Sequence, residues 1–312
     1  MKSPNLGWVY YHYLYNKPFA FDYLKIFGKN KDSNNDAVLK EKTEKLLKSE
    51  LGDFSSNDLD RTSNSNEIQT FELTTTYPGL LCGSGYNHGI SSEADYKIGF
   101  YFDHTSGIPV IPGSSVKGVL RSVFPKDSTD KRNYDFIREL MTTANESLEN
   151  KDKITRSFSN EDIDKLKVLI FDGLWDGVPK SYYKRDVFFD AYPIKAFDEY
   201  NLFLANDYIT PHFNKENPKY SILMNPTPLQ FLKIRSNVKF QFQFKLTDEG
   251  VLKGIQKKEL FKEIIKYIGV GAKTNVGYGQ LVEKHDEGTE KNLEEPNDPT
   301  KRKIVVNKKK TG

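Results

Sequence analysis

With 312 residues, a single cysteine (Cys82) and a formal net charge of only +3, the chain excludes several classes at the outset. One cysteine forms neither an intramolecular disulfide nor a cysteine metal cluster, which fits a reducing compartment. A body of this size buries roughly 75% of its unfolded surface without covalent staples. No apolar run approaches the ~20 residues of a membrane span, and the opening MKSPNLGWVYYHYLYNKPF lacks the charged-then-apolar order of a signal peptide. The expectation is a cytoplasmic protein with no membrane partner. Residues 301–312 hold six basic residues and no acid, so the remainder lies near −3 and any nucleic-acid surface must be a local patch.

Residues 1–27 are aromatic-rich and apolar enough to dock on a core. From Asp36 the chain carries Leu39, Leu46, Leu47 and Leu51 and reaches Gly52, which predicts a helix over about 36–51. The following SSNDLDRTSNSNE has almost nothing to bury and reads as a mobile loop. From Ile68, IQTFELTTTYPGLLCG is β-branched and aromatic, hence a strand, and KIGFYFDHTSGIPVIPG reads as a hairpin or strand with a Gly-Pro corner. In SSVKGVLRSVF, Val116, Val119, Leu120, Val123 and Phe124 recur at helical spacing.

Residues 126–180 read as a helical insertion, with one helix from Arg132 to Leu148 and a capping box formed by Ser159 and Asp162 opening another. VFFDAYPIKAF and the alternating VKFQFQFKL are predicted strands, the second half exposed. KKELFKEIIKYIG is an amphipathic helix with Leu260, Phe261, Ile264, Ile265 and Ile268 inward, and GYGQLVE closes as a strand. The order strand, helix, strands, helix, strand predicts an α+β fold with helices on one face of a largely antiparallel sheet, best matched by a split βαβ arrangement. The expected division is an N-terminal extension with a mobile loop over 1–68, a main domain over 69–285 carrying the insertion, and a charged, disordered tail over 286–312.

Three segments carry candidate chemistry. In Ile111-Pro-Gly-Ser-Ser-Val-Lys-Gly-Val-Leu-Arg121, Pro112 and Gly113 make a turn and Ser114 is an N-cap candidate beside Ser115. The free N–H groups of such a helix start suit a phosphate, and Lys117 and Arg121, four apart, neighbour each other off the apolar stripe. An ordinary capped helix with two solvated cations explains the same residues. Gly118 costs the helix about 1 kcal/mol relative to alanine, which close approach by another backbone would explain.

The second segment, Gly269-Val-Gly-Ala-Lys-Thr-Asn-Val-Gly-Tyr-Gly279, has four glycines in eleven residues between a helix and a strand. Backbone nests of this kind bind anions. Besides Gly269, Gly271, Gly277 and Gly279, Lys273 adds charge, Thr274 and Asn275 add hydrogen bonds, and Tyr278 offers a face for a base. A tight connection that needs positive φ is the alternative. It departs from a Walker A loop on two counts, because Ala272 stands where glycine should precede the lysine and the loop follows a helix. The third segment, Gly83-Ser-Gly-Tyr-Asn-His-Gly-Ile90, carries His88, a candidate general acid or base or simply a hydrogen-bonding loop residue. The five histidines show no metal-ligand spacing, and neither GxSxG nor GxGxxG is present in context, so no cofactor or metal is expected.

The loop GVGAKTNVGYGQ resembles the C-terminal glycine-rich loop of the RAMP superfamily, the repeat-associated RNA-binding proteins of CRISPR systems. Upstream, GSGYNHGI followed by GIPVIPGSSVKGVLRSVF is similar to the sixth-subunit family of the type III-B Cmr complex. Gly107, Pro109, Ile111, Pro112, Gly113, Ser114, Ser115, Lys117, Gly118 and Arg121 fill that family's segment without a gap. The likeness spans about residues 69–124 and 187–283. It implies a ferredoxin-like (RRM-like) βαββαβ fold and a structural, non-catalytic role in antiviral RNA interference, near the 3′ end of a guide RNA (crRNA). It also implies guide and target RNA, other RAMP subunits and a small helical subunit as partners. The competing enzyme reading is a guide-RNA-processing endoribonuclease of the same superfamily using His88, and a weaker third is a nucleotide-binding protein using Lys273.

Overall fold

The computed structural model describes residues 5–11, 33–50, 68–83, 95–210 and 228–284. Helix α1 (Leu6–Tyr11) is opened by Asn5, whose carboxamide oxygen accepts the Trp8 N–H at 2.8 Å. It buries Tyr10 against Tyr96 and Phe102, with ring centroids 5.7 and 5.3 Å apart. Helix α2 (Ser33–Leu47) begins and ends a few residues before the predicted 36–51, and it buries Leu39 and Leu46. The predicted stop at Gly52 and the loop after it lie outside the described residues.

The main sheet is laid down by β1 (Ile68–Thr75), β4 (Val187–Phe188), β5 (Tyr192–Ala196), β8 (Val238–Lys245) and β9 (Leu281–Val282). Between these in sequence come helices α3 (Gly113–Ser122), α4 (Lys131–Glu146) and α5 (Asn160–Asp172), the short pair β2 (Leu174–Trp175) and β3 (Val178–Pro179), the pair β6 (Leu204–Ile209) and β7 (Leu229–Ile234), and α6 (Gly254–Ile268). The sheet order is β9-β1-β8-β4, with β5 also on β8, and every pairing is antiparallel. Phe71 of β1 stands opposite Phe242 and stacks on Phe242 and Phe244 at 5.3 and 5.5 Å. Phe261 of α6 packs on Phe244 and Phe188 at 5.5 and 5.7 Å, so the helices cover this aromatic face.

β8 departs from its predicted half exposure: Val238 through Phe242 are all buried. It is the central strand, flanked by β1 on one side and by β4 and β5 on the other, so even its polar residues are closed in. Lys239 answers burial with an ion pair to Glu72 at 3.0 Å. The segment 98–112 takes the hairpin form of the expectation and not that of a continuous strand: it folds back over 103–108, with the Asp103 N–H donating to Ile108 O at 2.9 Å. It makes only isolated bridges, Phe102 with Pro109 and Ile111 with Ala191, because Pro109 and Pro112 have no N–H to donate to a ladder. The corner is instead an Asp103 turn, whose carboxylate accepts the Ser106 N–H at 2.7 Å.

In the insertion, α4 begins at Lys131 rather than Arg132 and is capped by Asp130. The capping box that opens α5 is present as read: Ser159 Oγ accepts the Asp162 N–H at 3.1 Å, and Asp162 accepts the Ser159 N–H at 3.0 Å. In α6, Leu260, Phe261, Ile264 and Ile265 are fully inward and Ile268 partly so. The antiparallel pair β6–β7 has no counterpart in the sequence reading. It joins the loop after β1 through a Leu80–Ile234 bridge.

Candidate nucleic-acid interface

The start of α3 is built by long-range contacts, and this corrects the reading of Ser114 as its cap. The N-cap is Pro112, with Gly113 the first helical residue, and no side chain of the cap position bonds the helix. The Gly113 N–H instead donates to Asp190 Oδ1 at 2.7 Å, from the corner between β4 and β5. Gly113 also lies against the Phe188 backbone, where a Cβ would collide with the carbonyl oxygen, so only glycine fits. One donor of the expected phosphate site is therefore already held by a carboxylate. Ser114 and Ser115 are exposed, and the Ser115 N–H bonds Pro112 O at 2.8 Å.

Lys117 is half-buried, its ammonium 5.7 Å from the Phe188 ring centroid. Arg121 is not a freely solvated cation: its guanidinium grips Asp172 of α5 at 2.8 and 3.4 Å. Gly118 has no other backbone near it, since a Cβ there would meet nothing within 4 Å. Replacing Gly118 by alanine is therefore expected to stabilise the isolated chain by about 0.5–1 kcal/mol in urea unfolding, by relieving the helix penalty.

The glycine loop takes its shape from positive φ at Gly269, Gly271, Gly277 and Gly279 (77°, 85°, 94° and 75°) and at Lys273 (59°). Much of its backbone is spent on holding the loop to its neighbours. The Val270 N–H donates to Gly279 O at 2.9 Å, Gly279 N–H to Gly79 O at 2.8 Å, and Ala272 N–H to Leu81 O at 3.1 Å. The tight-connection reading thus accounts for these donors, and what the loop offers outward is Gly271, Lys273, Asn275 and the apolar Val276, all exposed, with Thr274 half-buried among them.

Tyr278 does not offer a ring face to a base. It is 8% exposed, packs edge-on against Phe231, and donates its hydroxyl to Asp207 Oδ2 at 2.7 Å. Burial pushes the Tyr278 phenol above its ordinary range, and its bond to the Asp207 carboxylate adds to the effect. Burial works against the Asp207 charge too, but hydrogen bonds from Lys233 and Tyr278 outweigh it and hold that carboxyl below its ordinary value. The tyrosine is a strut joining the loop to β6.

His88 lies outside the described residues. Among the described residues, no group of three or more His, Cys, Asp or Glu side chains is arranged to hold a metal ion. The two segments singled out from sequence do not merge into one pocket. The α3 start rests on β4, whose Phe188 pairs with Phe244, whereas the glycine loop packs on the chain leaving β1, whose Thr74 pairs with Lys239. Five residues of β8 separate those positions, roughly 17 Å at strand rise. A mononucleotide cannot bridge them, but an extended polynucleotide can. Sequence reasoning missed Asp190 and Asp172, which hold the α3 segment; they lie 77 and 51 residues from their partners and carry no local signal.

A family model described as the RAMP superfamily matches residues 72–282. A curated relative, CRISPR system Cmr subunit Cmr6 of Pyrococcus furiosus, is 27% identical over 226 residues, which is 62% of this chain and 64% of that protein. The match thus spans less than two thirds of the relative's length. A chain in the cryo-EM structure of the type III-B Cmr-beta complex bound to cognate target RNA superposes with a TM-score of 0.52 at 21% identity, covering 90% of this chain and 91% of that one, which is a likeness of fold. The crystal structure of Cmr6 from Pyrococcus furiosus aligns at 24% identity with a TM-score of 0.34, covering 70% of this chain and 99% of that one. With the family model running from the first strand of the main sheet to the last, the chain belongs to the RAMP superfamily of CRISPR systems.

Proposed function

We propose that the chain is a non-catalytic, guide-RNA-binding and assembly subunit of a type III-B CRISPR effector complex, of the sixth Cmr-subunit kind, acting in the cytoplasm near the guide 3′ end. The observation that carries the reading is the family match over both candidate segments, the α3 start and the glycine loop. Its supports are the 27% identity to a Cmr6 protein and the two exposed polar segments at opposite ends of one strand, a spacing that favours a polynucleotide over a small ligand. The sheet order β9-β1-β8-β4 supports a ferredoxin-like βαββαβ core, in which the last strand joins the first at one edge. On this reading residues 1–68 and about 126–180 are additions to that core, and 286–312 is a charged tail. Guide and target RNA, neighbouring RAMP subunits and the small helical subunit are the partners. Among the described residues no helix is long and apolar enough to cross a membrane.

The test is retention of guide RNA by variants of the RNA-facing residues. Lys273→Ala, and Lys117→Ala combined with Arg121→Ala, are each expected to weaken binding about tenfold near physiological salt and to lower the salt dependence by about one counterion per lost phosphate contact. Because Arg121 also grips Asp172, Asp172→Ala is the control. Binding that survives Asp172→Ala but not Arg121→Ala assigns the arginine to RNA. Equal losses assign it to packing. Parent-like binding by Lys273→Ala and by the Lys117/Arg121 double variant would remove these residues from the site.

A further inference from the structure

A short hairpin after α5 carries two tyrosines outward. β2 and β3 are joined by Asp176 and Gly177, both at positive φ (47° and 78°), the backbone of a two-residue hairpin turn. The Lys180 N–H closes the pair on Gly173 O at 2.8 Å, and a 3-10 turn over Tyr182–Lys184 then leads to β4 at the edge of the main sheet. This segment is pinned from behind. Trp175 lies against Gly250, where a Cβ would come within 3.1 Å of its ring, and Lys180 and Lys184 hold Glu249 at 2.6 and 3.4 Å. Tyr182 and Tyr183 nevertheless stand 83% and 86% exposed.

The Arg185 guanidinium lies 5.0 Å from the Tyr182 ring centroid, and its Nε donates to Lys180 O at 2.7 Å. Among the described residues Arg185 has no carboxylate partner, and the Tyr183 side chain has no partner of any kind. The acids around the turn are engaged: Glu249 by Lys180 and Lys184, Asp172 by Arg121, Asp186 by Lys257, and Asp248 by the Gly254 N–H. Asp176 stands at the hairpin tip, within electrostatic reach of Lys165 of α5. The tyrosine pair also adjoins the α3 segment. Arg185 lies across Gly173, where a Cβ would meet its Cδ at 2.8 Å, and Gly173 follows Asp172, the residue that Arg121 grips.

We propose that Tyr182 and Tyr183 form a stacking platform for unpaired bases of single-stranded RNA, with the adjoining phosphate held by Arg185. Two rings held in solvent on an anchored turn cover nothing within the chain, so their apolar faces are left for a partner. Exposed aromatic faces beside an arginine are the combination that takes an unpaired base together with its backbone, and they supply the stacking surface that buried Tyr278 cannot. The inference rests on the RNA-binding reading above and extends the RNA path from the α3 start along the β4 edge.

The experiment uses the full-length chain and a single-stranded oligouridylate carrying 4-thiouridine, with ultraviolet crosslinking, peptide mapping and a binding titration. Crosslinks in the peptide that holds Tyr182 and Tyr183 are expected. A Tyr182→Ala, Tyr183→Ala double variant should lose about tenfold or more in affinity, as for one or two lost stacked bases. A Tyr182→Phe, Tyr183→Phe double variant keeps both rings and should bind like the parent. Both positions are exposed, and a melting curve matching the parent's shows each variant folded. Equal losses in the Ala and Phe variants would make the contact one through the hydroxyls and overturn the stacking platform. Crosslinks confined to 113–121 or 269–279, with parent-like affinity in the Ala variant, overturn this site and leave the RNA-binding reading standing. No binding and no crosslink by the parent overturns both. Polyglutamate that binds as tightly as the RNA, and loses as much in the Ala variant, makes the pair a surface for acidic polypeptide and overturns the RNA assignment.

Discussion

Asp186→Ala is expected to destabilise the protein by about 3–5 kcal/mol, because it strands a buried ammonium. Lys257 of α6 is fully buried, and its Nζ lies 2.9 and 3.1 Å from the two Asp186 oxygens and 2.9 Å from Thr247 O. Asp186 also accepts the Thr247 N–H at 2.8 Å, so one carboxylate ties together the first turns of α6, the chain leaving β8 and the approach to β4. β4 in turn carries the Phe188 backbone and leads to Asp190, the two supports of Gly113. Loss of the pair should therefore loosen the α3 segment as well as lower stability. Urea unfolding gives the measurement. A Lys257→Met, Asp186→Leu double variant should recover much of the loss, since replacing both members of a buried pair leaves no uncompensated charge. A loss below about 1 kcal/mol for Asp186→Ala would mean that the lysine finds water or another acceptor, and that the latch is not a structural requirement.

Gly279→Ala has the second largest expected effect, about 3 kcal/mol or more, combining the left-handed backbone penalty with a steric one. Gly279 has φ of 75°, and a Cβ would collide with Val270 O, the neighbour whose own N–H bonds Gly279 O at 2.9 Å. The loop can relieve the clash only by breaking the bonds that staple it to Gly79 and Leu81. Lys273 and Asn275, carried on that loop, would lose their placement. RNA retention should then fall at least as far in Gly279→Ala as in Lys273→Ala, accompanied by the drop in stability that Lys273→Ala lacks. A Gly279→Ala protein with parent-like urea midpoint and RNA retention would contradict the stapled-loop account.

How much of this was legible beforehand varies with range in sequence. Local, periodic signals carried through: the Ser159–Asp162 capping box and the inward stripe of α6 were readable because each is decided within a few residues, and the helix-on-sheet class followed from the order of such elements. The glycine loop was readable as a loop, but the task of its individual residues was not. The number of glycines reported tight packing against residues 79–81, and the adjacent Tyr278 went inward to Asp207 rather than outward. The α3 start was misread for the same reason. Ser114 looked like a cap because the true partner, Asp190, lies in a corner that only the folded sheet brings near. β8 alternates like a half-exposed strand, yet Lys239 and Gln241 on its polar face are buried beside cross-strand neighbours (Glu72, Tyr192 and Lys195), a pairing that its own eight residues do not encode. The β6–β7 pair escaped notice because neither strand has a clean alternation or a short hairpin turn between them.

The central claim, that this chain works as an RNA-bound subunit of a larger CRISPR assembly, is tested most directly by purifying the tagged full-length chain from its native host and identifying the RNA and proteins that accompany it. The account predicts a repeat-derived small RNA together with other RAMP subunits and a small helical subunit, with RNA retention that weakens steeply as salt is raised. A chain recovered alone that cuts added repeat RNA, with cleavage lost in a folded His88→Ala variant, would contradict it and make the protein a processing endoribonuclease.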